Sequence, residues 1–355
     1  MIERISNSGD LSRRPIRVGV LGCGRISKKH LAALSKNRSY ELAAVCDSDN
    51  ATLKDVKNSQ SVPGFSNLGE MLSAIELDLV VICTPSGLHA RQAVEAGRAG
   101  CHVLTEKPMA VKWDDAKWMV REFDGLDVKL FVVKQNRVNP TISKLKRAID
   151  GGHFGHIRLL VANVFWSRPQ SYYDQNDGWR GTWKMDGGAV FNQASHYVDL
   201  LRWLGGPIRS TFVTSTTVRD IQTEDTFSAT FDWQRGAIGS LNVTMLTYPK
   251  NLEGSITVLG DRGTARVGGL ALNEMCEWTF EDSDFEKSTS VNVSYEAGDV
   301  YGNGHVSYYE ELDKFLREGH GEVSEACDAI QTVELLCAMQ RSARDGRPCH
   351  LPLDL

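Results

Sequence analysis

The chain has 355 residues, 41% hydrophobic and 24% charged with 10 prolines, a composition that excludes fibrous, low-complexity and largely disordered classes. A formal net charge of −5, without a long Lys/Arg run, gives no electrostatic footprint for nucleic acid. No apolar stretch approaches the roughly 20 residues of a spanning helix, and the first 15 residues are mostly polar, so neither a membrane nor a secretory route is expected.

The length exceeds one ordinary core and predicts two domains after an arm, Met1 to Pro15, that packs only loosely. Residues 16–136 alternate short apolar runs with amphipathic segments, the pattern of a doubly wound parallel sheet. Strands are predicted at Ile16–Leu21, Leu42–Cys46, Leu77–Cys83, His102–Thr105 and Val128–Val133. Helices follow at Ile26–Ser35, Leu68–Ala74, His89–Ala99 and Trp113–Phe123. Residues 137–355 change character. After a helix at Pro140–Asp150, strand-like stretches recur at Ile157–Trp166, Ser210–Thr217, Thr226–Asp232, Ala237–Met245, Glu253–Leu259 and Gly263–Val267. With helices at Gln193–Leu204, Ser307–Arg317 and Ser324–Arg344, this half reads as α+β with a large, mostly antiparallel sheet. The fold class is therefore α/β, a Rossmann sheet joined to an α+β domain. The eight cysteines form no CxxC pair and are expected to be reduced, buried thiols of a cytoplasmic protein.

The turn Gly22-Cys23-Gly24-Arg25-Ile26-Ser27 follows the first strand. Gly22 permits a tight turn and Gly24 lets the backbone approach a pyrophosphate seated on the next helix, although Ser27 replaces the third glycine of the dinucleotide fingerprint. Asp47 ends the second strand, 25 residues after Gly22, where a carboxylate bonds the adenosine ribose hydroxyls; with Asp49 it repels a 2′-phosphate and favours NAD over NADP. A solvated turn aspartate would show the same letter. Thr84, Pro85 and Ser86 stand at the carboxyl edge of the sheet with His89 on the following helix, a placement for cofactor contact that helix capping would equally explain.

Thr105-Glu106-Lys107-Pro108 also closes an apolar strand. Proline biases Lys107 toward an extended backbone, and a charged pair at the end of a central strand is costly unless it is paired or used. On the helix assigned to Gln193–Leu204, Asn192, His196 and Asp199 share one polar stripe at spacings of four and three, preceded by the flexible Gly187-Gly188. Trp179-Arg180-Gly181-Thr182-Trp183 and Phe165-Trp166-Ser167-Arg168-Pro169-Gln170 gather indoles and guanidiniums suited to a phosphate, carboxylate or sugar; aromatic core packing competes with that reading.

Together these residues resemble the glucose-fructose oxidoreductase and inositol dehydrogenase family, Gfo/Idh/MocA, over nearly the whole chain after the arm. Within it, Lys134-Gln135-Asn136-Arg137, Phe165–Gln170, Tyr172-Tyr173, Trp179–Trp183 and Asn192–Leu201 look like the bacterial UDP-N-acetylglucosaminuronate 3-dehydrogenases of surface-polysaccharide (lipopolysaccharide O-antigen) synthesis. The resemblance implies oxidation of a sugar C3 hydroxyl to a ketone, with Lys107 and His196 as the catalytic pair and no metal. It implies NAD held by Gly22, Gly24, Arg25, Ile26, Asp47, Thr84, Pro85, Ser86, His89, Glu106, Lys107, Gln135, Trp179 and Arg180. A sugar nucleotide would meet Lys107, Arg168, Tyr172, Asn192, Gln193, His196 and Asp199, in a homo-oligomer, tetramer or dimer. Many family members carry aspartate at the position of Asn192, which weakens a Lys-His-Asp relay here.

Oxidising a secondary alcohol needs a base within hydrogen-bond reach of the hydroxyl. Histidine, with an ordinary pKa near about 6.5, needs less tuning than lysine near about 10.4. His196 is the favoured base and Lys107 the ligand of the reacting oxygen, with the reverse open. Three readings compete: another NAD-dependent sugar or cyclitol dehydrogenase, an enzyme that uses bound NAD transiently, and a non-catalytic dinucleotide-sensing protein.

Overall fold

The computed structural model describes residues 11, 14–175 and 178–353. The expected loose arm falls largely on residues 1–10, 12 and 13, outside the described residues; Arg14, at its end, forks onto Asp78 at 2.5 and 2.8 Å. The chain divides into two compact units, one of Met1–Lys134 with His305–Gln331, the other of Gln135–Gly304 with Thr332–Leu355.

In the first unit, β1 (Ile16–Leu21), α1 (Ser27–Lys36), β2 (Tyr40–Cys46), α2 (Asn50–Gln60), β3 (Gly64–Phe65), α3 (Leu68–Ala74) and β4 (Leu79–Ile82) come first. A 3-10 turn at Ser86–Leu88 then leads into α4 (His89–Arg98), β5 (His102–Thr105), α5 (Trp113–Asp124) and β6 (Leu130–Val132). Helix α2, absent from the sequence reading, buries only Leu53 and so carries almost no apolar period; Asp49 caps it by accepting from Thr52 N–H. All four residues of β4 have no exposed surface, as a strand covered on both faces requires.

The second unit opens with α6 (Pro140–Asp150), β7 (Ile157–Phe165), the short α7 (Gln170–Tyr173) and α8 (Gly188–Phe191), then α9 (Ser195–Gly205). Strands β8 (Ile208–Thr216), β9 (Thr226–Trp233), β10 (Ile238–Thr244), β11 (Glu253–Gly260), β12 (Gly263–Gly268) and β13 (Glu274–Phe280) follow, then α10 (Ser283–Ser288). The chain then returns to the first unit with α11 (Gly304–Glu318) and β14 (Ser324–Glu325), and ends in the second with the greater part of α12 (Ala326–Asp345) and β15 (Cys349–His350).

The first sheet runs β14-β6-β5-β4-β1-β2-β3, parallel except where β14 pairs antiparallel with β6. Strand order reverses between β1 and β4, the switch point where open α/β sheets bind ligands outside their carboxyl ends. The second sheet, β13-β12-β11-β7-β10-β9-β8-β15, is antiparallel except for β7 beside β10. The fold class expected from sequence is the one observed. Strand β14 begins where a helix was expected at Ser324, so α12 starts two residues later.

All eight cysteines are among the described residues and none forms a disulfide; Cys23, Cys46, Cys83, Cys101 and Cys349 are buried as expected. Cys276 and Cys327 are exposed, the first because edge strand β13 turns most of its side chains outward.

Candidate active site

In the first unit the glycine turn leaves β1 at the switch point. Gly22 has φ +89°, and a Cβ there would stand 2.8 Å from the carbonyl carbon of Cys83 and 2.9 Å from Thr84 N, so the turn lies directly against the end of β4. A Cβ on Gly24 would meet nothing within 4 Å, which leaves an open cradle. Helix α1 begins beside it with no side-chain cap and no acidic residue in its first turn, so its leading N–H groups and positive dipole end are available to an anion. Ser27 turns inward and donates to Gly24 O at 2.7 Å. Burial, then Asp47, pushes the Cys23 thiol up to about 12, so it stays protonated.

Asp47 holds this turn. Its Oδ2 accepts from Cys23 N–H at 2.6 Å and its Oδ1 from Asp49 N–H at 2.8 Å, fixing a carboxylate at the end of β2 with lone pairs remaining for ribose hydroxyls. The open glycine cradle, the uncapped helix and the oriented carboxylate fit a dinucleotide. After β4, Thr84 donates to Gln92 at 2.5 Å, while buried His89 places its ring nitrogens 2.8 Å from Pro108 O and 2.9 Å from Thr84 O. His89 thus ties two strand-end loops together. Burial lowers its pKa, and the two carbonyls pull partly back.

Glu106 is buried at the end of β5, and its Oε2 accepts from Lys107 N–H at 3.1 Å. Its Oε1 lies 3.0 Å from His30 Nε2 and 3.5 Å from His305 Nε2; His30 Nδ1 lies 2.9 Å from the Tyr309 hydroxyl. Burial pushes the Glu106 carboxyl up, but His30 and His305 outweigh it and hold the group well below the usual carboxylate range. The ligating atoms of the three lie within 4.8 Å of one another. His30 and Lys107 N–H hydrogen-bond the two carboxylate oxygens, and His305 faces one of them as an ion-pair partner. His30 and His305 were not singled out from sequence.

In the second unit, Gln135 Nε2 stands 3.2 Å from His196 Nε2. Asp199 was expected to face substrate; instead both its oxygens are taken, by a bidentate Arg137 at 2.8 and 2.6 Å and by the Thr332 hydroxyl at 2.8 Å, with only 1% of the residue exposed. The pair clamps the Lys134–Arg137 loop, which carries Gln135, onto α9, which carries His196. Asn192 and Gln193 precede α9 rather than opening it. Gly187 and Gly188, both at positive φ, start the separate α8, so the polar stripe expected on one continuous helix loses Asn192. Asn192 donates instead to Asp186.

Tyr172 lies between two guanidiniums, with Arg180 4.7 Å and Arg168 5.5 Å from its ring centroid; Arg180 also covers Trp179 at 4.8 Å. Arg168 donates to Asn251, which also accepts from Ser167 N–H, a partner the sequence reading missed. Among the described residues, buried Arg180 Nη1, Gln193 Nε2 and Gln135 Oε1 have no hydrogen-bond partner, although buried polar groups are costly to leave unmade.

A family model described as oxidoreductase family, NAD-binding Rossmann fold, matches residues 16–134, and one for the GFO/IDH/MocA C-terminal domain matches residues 142–266. The chain is similar to the WlbA dehydrogenase from Bordetella pertussis, solved in complex with NADH and UDP-GlcNAcA, with 46% identity and TM-score 0.90. That likeness covers 97% of this chain and 99% of the other. The WlbA enzyme from Chromobacterium violaceum, solved with the same two ligands, gives 47% identity, TM-score 0.89, and coverage of 97% and 98%. A curated relative, 1-carboxy-3-chloro-3,4-dihydroxycyclohexa-1,5-diene dehydrogenase from Comamonas testosteroni, is 32% identical over 195 residues, 53% of this chain. The match spans 47% of that relative, about half its length. Among the described residues no helix is long and apolar enough to cross a membrane.

Proposed function

The chain belongs to the GFO/IDH/MocA oxidoreductase family, and we propose that it is an NAD-dependent dehydrogenase oxidising the C3 hydroxyl of UDP-N-acetylglucosaminuronate to the 3-keto sugar. The observation that carries this reading is the 46% identity over 97% of the chain to an enzyme solved with NADH and UDP-GlcNAcA. The unmet buried polar atoms of Gln135, Arg180 and Gln193 support a strongly polar substrate. The product would enter bacterial surface-polysaccharide synthesis from the cytoplasmic sugar-nucleotide pool.

When bound, NAD supplies the hydride acceptor. The Gly22–Ile26 turn and the amino end of α1 would hold its diphosphate, and Asp47 its adenosine ribose. Thr84 to Ser86, Gln135, Trp179 and Arg180 are proposed to line the remainder, with His89 and Glu106 acting from behind, the first through its carbonyl contacts and the second through Lys107 N–H. His196 takes the proton of the reacting hydroxyl. Lys107 binds the same oxygen and stabilises its developing negative charge. Arg168, Tyr172, Asn192 and Gln193 are assigned to the sugar nucleotide, and Asp199 acts on it only by clamping the loop that carries Gln135. A homo-oligomer is also proposed, supported by Phe212 and Ile238 exposed on β8 and β10, and size-exclusion chromatography with light scattering tests it.

The test incubates the protein with NAD and UDP-N-acetylglucosaminuronate, following NADH by absorbance and the sugar by mass spectrometry. The expected product has lost two hydrogens. Lys107→Ala and His196→Ala should each cut turnover by roughly 10²-fold or more. Unaltered sugar in the presence of bound NAD would reject the substrate, and wild-type turnover in both variants would reject the residue roles.

A further inference from the structure

Beneath the Glu106-Lys107-Pro108 loop, the first unit buries a carboxylate between two imidazoles that the proposed chemistry does not use. Burying a charged group costs several kcal/mol unless hydrogen bonds and opposite charge compensate it, so such a group persists where its contacts hold something in place. Glu106 reaches three segments that are distant in sequence. Its Oε2 accepts from the N–H of Lys107 at 3.1 Å, which fixes the orientation of the peptide carrying the proposed catalytic lysine. Its Oε1 meets His30 at 3.0 Å, and His30 lies on α1, whose amino end borders the open glycine cradle. The same oxygen faces His305 at 3.5 Å, on α11. The two imidazoles meet edge to face with centroids 5.1 Å apart, and Tyr309, also on α11, closes the chain through His30 Nδ1.

We propose that His30, Glu106 and His305 form a buried positioning network that locks the Lys107 peptide and helix α1 together, so that dinucleotide binding depends on it. None of the three is a catalytic residue. The inference rests on the reading that the first unit binds NAD, and it is independent of which sugar is oxidised. The charge on Glu106 matters because one carboxylate accepts from His30 and from Lys107 N–H simultaneously; an amide offers an acceptor to one and a donor to the other. The titratable and charged groups facing the network are Lys29 on α1, Cys83 after β4, His89 on α4, Tyr309 on α11 and Lys107 itself.

Three variants of the full chain test this without any sugar. Glu106→Gln preserves shape and removes the charge; NADH affinity, read by fluorescence titration, is expected to fall at least about tenfold. In the ligand-free variant, the His305 titration followed by NMR should move to lower pH, because the carboxylate that favours its protonated form has gone. His305→Gln keeps a donor near the Nε2 position and is expected to bind NADH within about threefold of wild type, whereas His305→Leu should lose about tenfold. A merely structural role would lower stability in all three without this split. Wild-type NADH affinity in a folded Glu106→Gln overturns the proposal, as does equal affinity in the two His305 variants; should Glu106→Gln fail to fold, the His305 pair decides. NADH binding with no turnover of UDP-N-acetylglucosaminuronate would remove the proposed substrate and leave this network standing.

Discussion

Two glycines two residues apart should fail in opposite ways when each is replaced by alanine. Gly22 has φ +89°, and its new Cβ would lie 2.8–2.9 Å from three main-chain atoms, the C and O of Cys83 and the N of Thr84. Neither the conformation nor the neighbours can yield cheaply. A side chain in left-handed backbone costs about 1–2 kcal/mol and overpacking about 1–3 kcal/mol, so Gly22→Ala should lose about 2–5 kcal/mol of stability. Gly24 meets nothing within 4 Å and carries no positive φ. Gly24→Ala should therefore be neutral or gain up to about 1 kcal/mol by restricting the unfolded chain. Its methyl group nevertheless stands where a diphosphate must approach the backbone, so NADH affinity should drop at least about tenfold, a loss of ~1.4 kcal/mol. Urea denaturation reads the first effect and NADH fluorescence titration the second. Gly24→Ala binding NADH as tightly as wild type, or Gly22→Ala unfolding at the wild-type midpoint, would refute the placement of the cradle.

Asp47→Ala should relax discrimination against NADP, read as the ratio of NADH to NADPH dissociation constants; an unchanged ratio would remove the ribose role, since the lost bonds to Cys23 and Asp49 weaken both cofactors alike. Asp199→Ala leaves Arg137 buried without its partner and should cost about 3–5 kcal/mol in urea unfolding. Glu224, pushed up to about 7 by burial, with Asp186 and Asp225 adding to the effect, keeps its proton in the fold where an unfolded carboxyl would lose it. Its contribution to stability is complete below the ordinary value of 4.5 and is lost as pH rises through about 7. Glu224→Gln should accordingly stabilise the protein by at most about 3 kcal/mol at pH 8 and by nearly nothing at pH 4, and a pH-independent difference would contradict the raised value.

Long periodic elements were legible in the sequence because burial writes itself into spacing: α3 and α6 have the expected bounds, and all five longer strands of the first sheet appear within a few residues of theirs. Elements that bury little left no such trace. Helix α2 hides one residue, β13 faces mostly outward, and β14 consists of two residues whose pairing with β6 is a tertiary fact. The site shows the same division. The glycine turn, Asp47 and Glu106-Lys107 carry local chemistry and could be singled out as candidates; His30 and His305 look like ordinary helical letters until the fold brings them, from 275 residues apart, onto one carboxylate. Asp199 misled for a related reason. Helical spacing showed that it could share a face with His196, but Arg137 and Thr332, which occupy its oxygens, lie far from it in sequence.

One physical problem recurs at each loop assigned to the site. Such loops leave strand and helix ends, so their N–H groups lack the ladder partners that hold the rest of the backbone, and an unfixed N–H leaves an unfixed side chain. This chain meets the problem with carboxylates. Asp47 accepts from Cys23 and Asp49, Glu106 from Lys107, Asp186 from Gly181, and Glu224 from Val190. Charged acceptors make hydrogen bonds roughly twice as strong as neutral ones, which offsets part of the cost of burying them and restrains loops that packing alone would leave loose. Preorganised groups of this kind need no rearrangement as charge develops on a reacting atom. Acidic residues beneath the loops would in this way contribute to activity without touching substrate. On this reasoning their replacement by amides should disturb loop geometry more than global stability, and Glu224, which is protonated in part near neutral pH, should tolerate it best.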